Sequence, residues 1–344
     1  MAYVWAKSTK SGQAITRSGQ ILIDKLAEQE QRLEAMEILS EWRASHAYPL
    51  HAIYIFLRKK STSIEKASLV VRRLKRTPSI ITKLSRFPTM KLSRMQDIGG
   101  CRSIVSNVKQ VERLLEKIKR SKTSHEIHNV KNYIDEPKDT GYRGVHIVFK
   151  YNASKPDYKG YFIEAQLRSK IQHAWATAVE IVDTYTKQAL KSSGGEEEWR
   201  KFFVYASAEF AKLEDRPVGA HVEGINTKEE LKKSLEALNV IKKLRAYSAS
   251  SNFLASKESA EFSYFLLTIS HSEEDVSIEV EGYRLSELAV ANQKYLELES
   301  NIDGSSQRDV VLVSATSLKD LRKAYPNYYA DSKEFVKHIN QSIA

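Results

Sequence analysis

The segment Pro137-Lys138-Asp139-Thr140-Gly141-Tyr142-Arg143-Gly144-Val145-His146 is basic, contains two glycines and carries one aromatic side chain, Tyr142. Glycine and short polar residues mark turns and loops, and a run with the pattern of a β-strand follows directly. The segment therefore predicts a nucleotide-binding loop that leads into a strand.

A second stretch, Phe162-Ile163-Glu164-Ala165-Gln166-Leu167-Arg168, alternates apolar with polar residues. Because successive side chains of a strand point to opposite faces, Ile163, Ala165 and Leu167 would face a core. Glu164, Gln166 and Arg168 would then line the other face. A strand with one solvated face gives the same pattern, so the case for an active site depends on the loop, this strand and Asp97 together.

The composition is that of a globular protein with a basic surface. A chain of 344 residues is long enough for two or three domains, and 42% hydrophobic with 28% charged residues is ordinary for folded proteins. The 54 Lys and Arg against 43 Asp and Glu give a net charge of +11. Such a surplus suits nucleic acid or nucleotide phosphates as partners, and it equally suits a solvated basic surface.

The cellular location is also constrained by the sequence. A single cysteine, Cys101, excludes an intrachain disulfide and a cysteine-built zinc site, which indicates a reducing compartment. The start of the chain lacks the charged and apolar regions of a signal peptide. No apolar run approaches the ~18 residues that a membrane helix needs. We therefore expect a soluble, cytoplasmic protein that does not contact a membrane.

The pattern along the chain predicts helices, then a mixed sheet. Residues 1 to 20 are expected to form an extended lead-in, followed by helices over Ile21–Ser45 and Leu50–Lys59. A strand over Leu69–Arg76 would leave Arg73 and Lys75 on one face, and Pro78 suits the first turn of the next helix. Further strands and helices predict an α+β fold with a mixed sheet flanked by helices.

The pattern changes near residue 259. Beyond this point two strands, a helix, a strand and a helix are predicted, and a further helix follows Asp331. We expect this ββαβα unit to be a small separate domain. The predicted organisation is N-terminal helices at 1–60, a central domain with following helices at 61–258, and a C-terminal domain at 259–344.

Common nucleotide and hydrolase motifs are absent from the sequence. There is no Walker loop, dinucleotide fingerprint, H-E-x-x-H or Ser-His-Asp elbow. Phosphates would therefore be bound by side-chain cations and by a metal ion held by few carboxylates. Asp97 and Glu164 are the candidates, since Mg²⁺ is commonly held by one or two carboxylates together with substrate phosphates.

Four motifs, in this order, resemble the RelA/SpoT synthetase domain. They are Arg73-x-Lys75 with Ser79 and Lys83 after it, Asp97 to Arg102, Pro137 to His146, and Glu164 to Arg168. The similarity covers roughly residues 65 to 185. It implies a nucleotidyltransferase-like fold and pyrophosphoryl transfer from ATP to a ribose 3′-hydroxyl, with release of AMP.

The resemblance also implies roles for individual residues. Arg73 would stack on adenine and Lys75 would contact the ATP phosphates, with Ser79 and Arg102 on the same ATP side. Asp97 and Glu164 would hold Mg²⁺, and Glu164 would take the proton of the attacking hydroxyl. Tyr142 would stack on the base of the acceptor. The residues that would position the acceptor are Lys138, Tyr142, Arg143, His146, Gln166 and Arg168.

The remainder of the chain narrows the resemblance to one subtype. No His-Asp dipeptide is present, so the resemblance implies a synthetase without the family's hydrolase half. The element Tyr325-Pro326-Asn327-Tyr328 and the strand-rich C-terminal unit resemble fused toxin–antitoxin members of the CapRel type. In those proteins a zinc-finger-like domain, here expected to be metal-free, covers the ATP site. Tyr325 and Tyr328 would have the autoinhibitory role, and a phage structural protein would release it.

Three hypotheses for the function follow. The first is an autoinhibited pyrophosphokinase that modifies the 3′ CCA end of tRNA and stops translation in anti-phage defence. The second is a (p)ppGpp synthetase that uses GDP or GTP in the stringent response. The third is a nucleic-acid-binding module without catalysis.

Overall fold

One mixed sheet organises the chain in the computed structural model, which describes residues 5–153, 155–189, 196–244, 251–255, 262–271, 276–300, 308–314, 321 and 331–344. Its strands are β1 (Leu69–Leu74), β2 (Gly99–Val105), β3 (Glu126–Asn132), β4 (Val145–Lys150), β5 (Phe162–Ser169), β6 (Ser251–Ala255), β7 (Tyr264–His271), β8 (Val276–Tyr283) and β9 (Arg308–Ser314). They lie in the order β3-β4-β5-β2-β1-β9-β7-β8-β6. The pairs β2–β5 and β6–β8 are parallel and the others antiparallel.

Helices pack on both faces of this sheet, so the predicted α+β class is confirmed. They are α1 (Gly12–Ile23), α2 (Gln29–Ser45), α3 (Ala47–Ile64), α4 (Thr77–Arg86), α5 (Val108–Lys119), α6 (Lys170–Ala189), α7 (Glu196–Leu213), α8 (Thr227–Ala237), α9 (Leu288–Ser300) and α10 (Lys333–Ile343). Within the ranges described above, none of the helices has both the length and the apolar composition required to cross a membrane.

The N-terminal region differs from the predicted extended lead-in and single long helix. α1 begins at Gly12 because the Ser11 side chain accepts a hydrogen bond from the Ala14 backbone N–H, a favourable N-cap. The Asp24 carboxylate accepts a hydrogen bond from the Leu26 N–H and separates α1 from α2. α3 begins at Ala47 rather than at Leu50, and Pro49 lies in its first turn, where the missing N–H removes no helical bond.

The two faces of the sheet have different environments around β1, β2, β4 and β5. On one face, α3 and α5 cover a core that includes Ile147, Ile163 and Ala165. The alternation of the strands places Glu164 and Gln166 on the opposite face, as the sequence predicts. α1, α2 and α4 form a separate apolar cluster that also contains Met95 and Ile98, which lie two residues before and one residue after Asp97.

The C-terminal strands continue the same sheet, whereas the sequence predicts a domain with an independent core from residue 259. β9 pairs with β1 through Arg72–Ser314 and Arg73–Val313, and Val71 of β1 belongs to the same apolar cluster as Phe265 and Val313. β6, which lies before residue 259, pairs with β8. Strand patterning predicts that these strands form, but it does not indicate which free edge they join. A regulatory role for residues 259–344 stays a prediction.

α10 returns the chain to the helices that follow β5. Its Phe335 is buried against the aromatic side chains of Phe202, Phe203 and Phe210 in α7, with ring centroids 5.5–6.1 Å apart. Ile339 belongs to the same cluster of buried residues, to which α6 and α8 also contribute. The last described helix is therefore part of the core beside the 137–146 loop.

We expect Phe335→Ala to lower the free energy of unfolding by about 3–5 kcal/mol, since it empties a well-packed aromatic site. Urea denaturation followed by circular dichroism measures this change. Lys337→Ala on the same helix is the control, because Lys337 is exposed and its pairing with Glu334 at 3.8 Å is a surface interaction. Equal stability of the two variants would contradict this packing of α10.

Candidate active site

A cleft of about 110 Å³ opens on the face of the sheet opposite α3 and α5. Strand pairing aligns Arg73, Gly100 and Glu164 across β1, β2 and β5. Since Gly100 has no side chain, the floor of the cleft stays open between the arginine and the carboxylate. The residues that line the cleft are Arg73, Lys75, Asp97, Gly100, Cys101, Arg102, Glu164 and Gln166.

Asp97 lies at one end of the cleft between two lysines. Its Oδ2 atom is 3.2 Å from Lys75 Nζ and 2.7 Å from Lys83 Nζ. The backbone fixes this arrangement, because the Lys75 N–H donates to the carbonyl of Ile98, one residue after Asp97. Lys83 comes from α4, where it lies one turn after Ser79. This end of the cleft thus carries two cations and one carboxylate.

Glu164 lies on the floor of the cleft, and both of its oxygens accept hydrogen bonds. Oε1 is 2.9 Å from His146 Nδ1, and Oε2 accepts a hydrogen bond of 2.7 Å from Gln166 Nε2. Burial raises the pKa of this carboxyl, but the bond and charge of His146, the bond from Gln166 and the charge of Lys83 outweigh it and lower the pKa to about 2. Glu164 is therefore ionised at neutral pH.

A chain of hydrogen bonds connects Glu164 to the 137–146 loop. The Tyr142 hydroxyl lies 2.5 Å from His146 Nε2, and Arg168 Nη2 donates to the same hydroxyl at 3.1 Å. Lys138 Nζ lies 5.2 Å from the centre of the Tyr142 ring. The Tyr142 side chain is half-buried, so part of its aromatic surface stays open beside these cations.

Gly141 fixes the position of this loop. Its φ of 83° is a conformation that other residues rarely adopt, and a Cβ atom there would lie 3.0 Å from Ser207 Cβ. Ser207 Oγ donates to the Gly141 carbonyl at 2.5 Å. The loop is thus held against α7, and the Tyr142 hydroxyl is hydrogen-bonded to His146.

The structure does not bring every predicted site residue to the cleft. Arg143 is 4% exposed and donates to Ser207 Oγ and to the carbonyls of Ile134 and Val218. Its guanidinium is therefore used within the fold, and burial lowers its pKa to about 10. Ser79 lies on α4 outside the lining of the cleft. Tyr325 and Tyr328 lie outside the described residues.

The structure brings two residues to the site for which the sequence predicts no role. Lys83 is part of the first motif but has no role in the prediction, although it forms the shorter of the two contacts with Asp97. Tyr133 packs against Tyr142 and His146, and its ring centre lies 4.5 Å from Lys138 Nζ. Extending the alternation of β3 beyond Asn132 would have placed Tyr133 on the face of Lys131, which pairs with His146.

The donor groups fit a hard divalent cation such as Mg²⁺. Among the described residues, Asp97 Oδ1 is a buried oxygen without a hydrogen-bond partner, and the Glu164 carboxylate lines the same cleft. The residues that can be described contain no group of three or more His, Cys, Asp or Glu able to hold a metal ion. Two carboxylates match Mg²⁺ that completes its coordination with substrate phosphates and water.

Residues 72–189 match the model of a family described as the region found in RelA/SpoT proteins. The chain is 29% identical over 111 residues to the GTP pyrophosphokinase YjbM of Bacillus subtilis strain 168, which covers 31% of this chain and 52% of the relative. The chain thus spans about half the length of this curated relative.

Two solved structures are also similar. Small alarmone synthetase 1 from Bacillus subtilis, bound to its product pppGpp, has a TM-score of 0.42 and 21% identity, and the match covers 51% of this chain and 93% of that one. A GTP pyrophosphokinase family protein from Streptococcus pneumoniae has a TM-score of 0.42 and 20% identity, and the match covers 57% of this chain and 96% of that one.

The environment of Glu164 predicts a defined pH dependence of stability. Because folding lowers the pKa of Glu164 from 4.5 to about 2, its contribution is complete above pH 4.5 and is lost as the pH falls towards 2. Between pH 5 and pH 3 we expect wild type to lose about 2 kcal/mol more unfolding free energy than Glu164→Gln. Urea denaturation at both pH values without divalent cations measures this difference, and equal losses would contradict it.

Proposed function

We propose that the RelA/SpoT region of this chain, residues 72–189, transfers the pyrophosphoryl group of ATP to a ribose 3′-hydroxyl. The hydroxyl oxygen forms a bond to the β-phosphorus of ATP, the bond from that phosphorus to the α,β-bridging oxygen breaks, and AMP and a proton leave. The observation that carries the proposal is that one cleft joins a cationic end around Asp97 to Glu164, which is hydrogen-bonded towards Tyr142.

The cationic end of the cleft is the proposed site of ATP. Arg73 and Arg102 lie on the cleft floor with Lys75 nearby, so guanidinium and ammonium groups can neutralise the triphosphate. Arg73 is the proposed partner of the adenine ring. Asp97 and Glu164 would hold Mg²⁺, which supplies charge neutralisation on the phosphate oxygens when bound.

The low pKa of Glu164 affects the role that it can have. A carboxyl with a pKa of about 2 is a weak proton acceptor, whereas an ionised carboxylate suits a cation and the orientation of a hydroxyl group. Phosphoryl transfer generally passes through a loose transition state and depends mainly on positioning and on charge stabilisation. We therefore assign Glu164 to metal holding and hydroxyl orientation first, and to proton removal second.

The proposed acceptor site is the surface around Tyr142, which is connected to Glu164 of the cleft through His146. The Tyr142 ring offers a stacking surface for a base, and Lys138 and Arg168 place positive charge beside it. His146 and Gln166 fix Glu164 between the two ends of the cleft. The acceptor would therefore place its base on Tyr142 and its ribose near Glu164.

The proposed acceptor is the 3′ CCA end of tRNA, in agreement with the net charge of +11. The alternative acceptor is GDP or GTP, as the name of the curated relative, a GTP pyrophosphokinase, suggests. In both cases the chemistry at the ribose is the same. The two alternatives differ in whether nucleic acid contacts the surface outside the cleft.

Incubation of the full-length chain carrying Tyr325→Ala and Tyr328→Ala, so that the expected autoinhibition is removed, with γ-labelled ATP, deacylated tRNA and GDP together tests the reaction and the acceptor. We expect label on tRNA, no label on tRNA whose 3′ end has been oxidised by periodate, and a loss of about 10³-fold or more in Glu164→Gln. Label in guanosine nucleotides alone would reject tRNA as the acceptor. Transfer at the wild-type rate by Glu164→Gln would reject the proposed site.

A second proposal concerns regulation of the same site. β9 is hydrogen-bonded to β1 at Arg72 and Arg73, and Leu321 is buried in one cluster with Val71. The C-terminal part of the chain therefore lies directly beside the proposed ATP residues. In the proposed regulation Tyr325 and Tyr328 block ATP, and an activating partner such as a phage structural protein releases them.

Expression of Tyr325→Ala with Tyr328→Ala in the full-length chain tests this regulation. We expect the double variant to stop growth, and Glu164→Gln added to it to restore growth, because toxicity would then require the transfer reaction. Phenylalanine at both positions is the matched control for loss of the rings. Harmless expression of a folded, soluble double variant would contradict the blocking role.

A further inference from the structure

Two buried arginines contact tyrosines from the C-terminal part of the chain. Both contacts lie on the side of the sheet that α3 covers. Arg72 of β1 is 6% exposed, with its guanidinium 5.3 Å from the ring centre of Tyr264 and hydrogen-bonded to the Tyr264 hydroxyl. Arg43 of α2 is 3% exposed and lies 4.3 Å from the ring centre of Tyr295. We refer to these two contacts as the Arg–Tyr pairs.

Each Arg–Tyr pair acts on the backbone that carries a proposed ATP residue. Arg43 Nε donates to the Lys75 carbonyl at 2.6 Å. Arg72 precedes Arg73 in β1, so the two side chains point to opposite faces of the same strand. Whatever fixes Arg72 on the covered face also fixes the direction of Arg73 on the cleft face.

The two neighbours of β1 in the sheet hold it to different extents. β9 pairs with β1 at only two residue pairs among the described residues, whereas β2 pairs with it along its whole length. Tyr54 of α3 stacks on Arg72 with a ring centre 4.8 Å from the guanidinium, so Arg72 is held between α3 and β7. The tyrosines therefore reinforce the weaker of the two edges of β1.

We infer that Tyr264 and Tyr295 are positioning residues for the donor nucleotide, acting through Arg72 and Arg43 on Arg73 and Lys75. This inference rests on the proposed function, because it takes the Arg73 end of the cleft as the ATP site. It assigns residues 262–314 a supporting role in catalysis that is separate from the proposed block by Tyr325 and Tyr328. Neither tyrosine is among the residues that line the cleft of Lys75, Asp97 and Glu164.

The inference predicts different outcomes for hydroxyl and ring removal. Tyr264→Phe keeps the ring but loses the hydrogen bond to Arg72, and Tyr295→Leu loses the ring over Arg43. We expect each to weaken binding of α,β-methylene ATP about five- to tenfold, since a charged hydrogen bond or a buried cation–π contact is lost. Tyr295→Phe, which keeps the ring, should bind more tightly than Tyr295→Leu.

Isothermal titration calorimetry measures these affinities in the full-length Tyr325→Ala, Tyr328→Ala background, in which the proposed block is removed, and steady-state kinetics then give KM for ATP and for the acceptor. A positioning role raises KM for ATP and leaves KM for the acceptor unchanged, whereas general loosening of the fold would alter both. Tyr283→Phe is the matched control. Tyr283 pairs with Tyr264 on β8 and its hydroxyl donates to Glu281, so we expect wild-type affinity.

The outcomes separate this inference from the proposed function. Wild-type affinity for the analogue in folded Tyr264→Phe and Tyr295→Leu would overturn the inference and leave the proposed function intact. Absence of analogue binding by wild type and by the Tyr325→Ala, Tyr328→Ala variant would overturn both. Weaker binding by Tyr264→Phe and Tyr295→Leu, with Tyr283→Phe unchanged, would support the inference.

Discussion

The parallel pairing of β2 with β5 is the constraint on which the candidate site depends. It sets Gly100 beside Glu164 and brings Asp97, which precedes β2, to the same cleft although the two carboxylates are distant in sequence. Gly99 is required for this close packing, because a Cβ atom there would lie 2.6 Å from Ile163 Cδ1. Gly99 thus leaves room for the core side chain of Ile163, and Gly100 leaves the cleft floor open.

The two carboxylates of the cleft are each compensated by neighbouring groups. Asp97 is neutralised by Lys75 and Lys83, while Glu164 receives hydrogen bonds from His146 and Gln166. Half-buried carboxylates of this kind are costly unless they are paired. In the proposed function a magnesium–phosphate ligand would replace the lysine contacts of Asp97, since it brings both a cation for the carboxylate and anionic oxygens for the lysines.

Local patterns predicted much of the fold and of the site. Alternation in Phe162–Arg168 placed Glu164 and Gln166 on the correct face, α7 has the predicted ends, and the resemblance to the RelA/SpoT domain is confirmed for residues 72–189. Arg143 shows where local pattern fails. It neighbours Tyr142 in a basic loop, yet its side chain turns towards Ser207 and Val218, and no local signal indicates that α7 and the chain after it cover the loop there. The pairing of the C-terminal strands with β1 also depends on contacts distant in sequence, which local patterns do not predict.

The continuity of the sheet limits how a C-terminal regulator of this chain could work. Removing β9 and β7 would leave one edge of β1 without hydrogen-bond partners and expose Val71, Phe265 and Val313. Exposure of apolar surface costs about 25 cal/mol for each Å², and an unpaired edge strand promotes aggregation. A regulator that left the cleft as a whole domain would therefore damage the strand that carries Arg73. Release that keeps β7, β9 and the buried Leu321 in place and displaces only a segment between Leu321 and α10 avoids this cost, because β1 then keeps both of its neighbours.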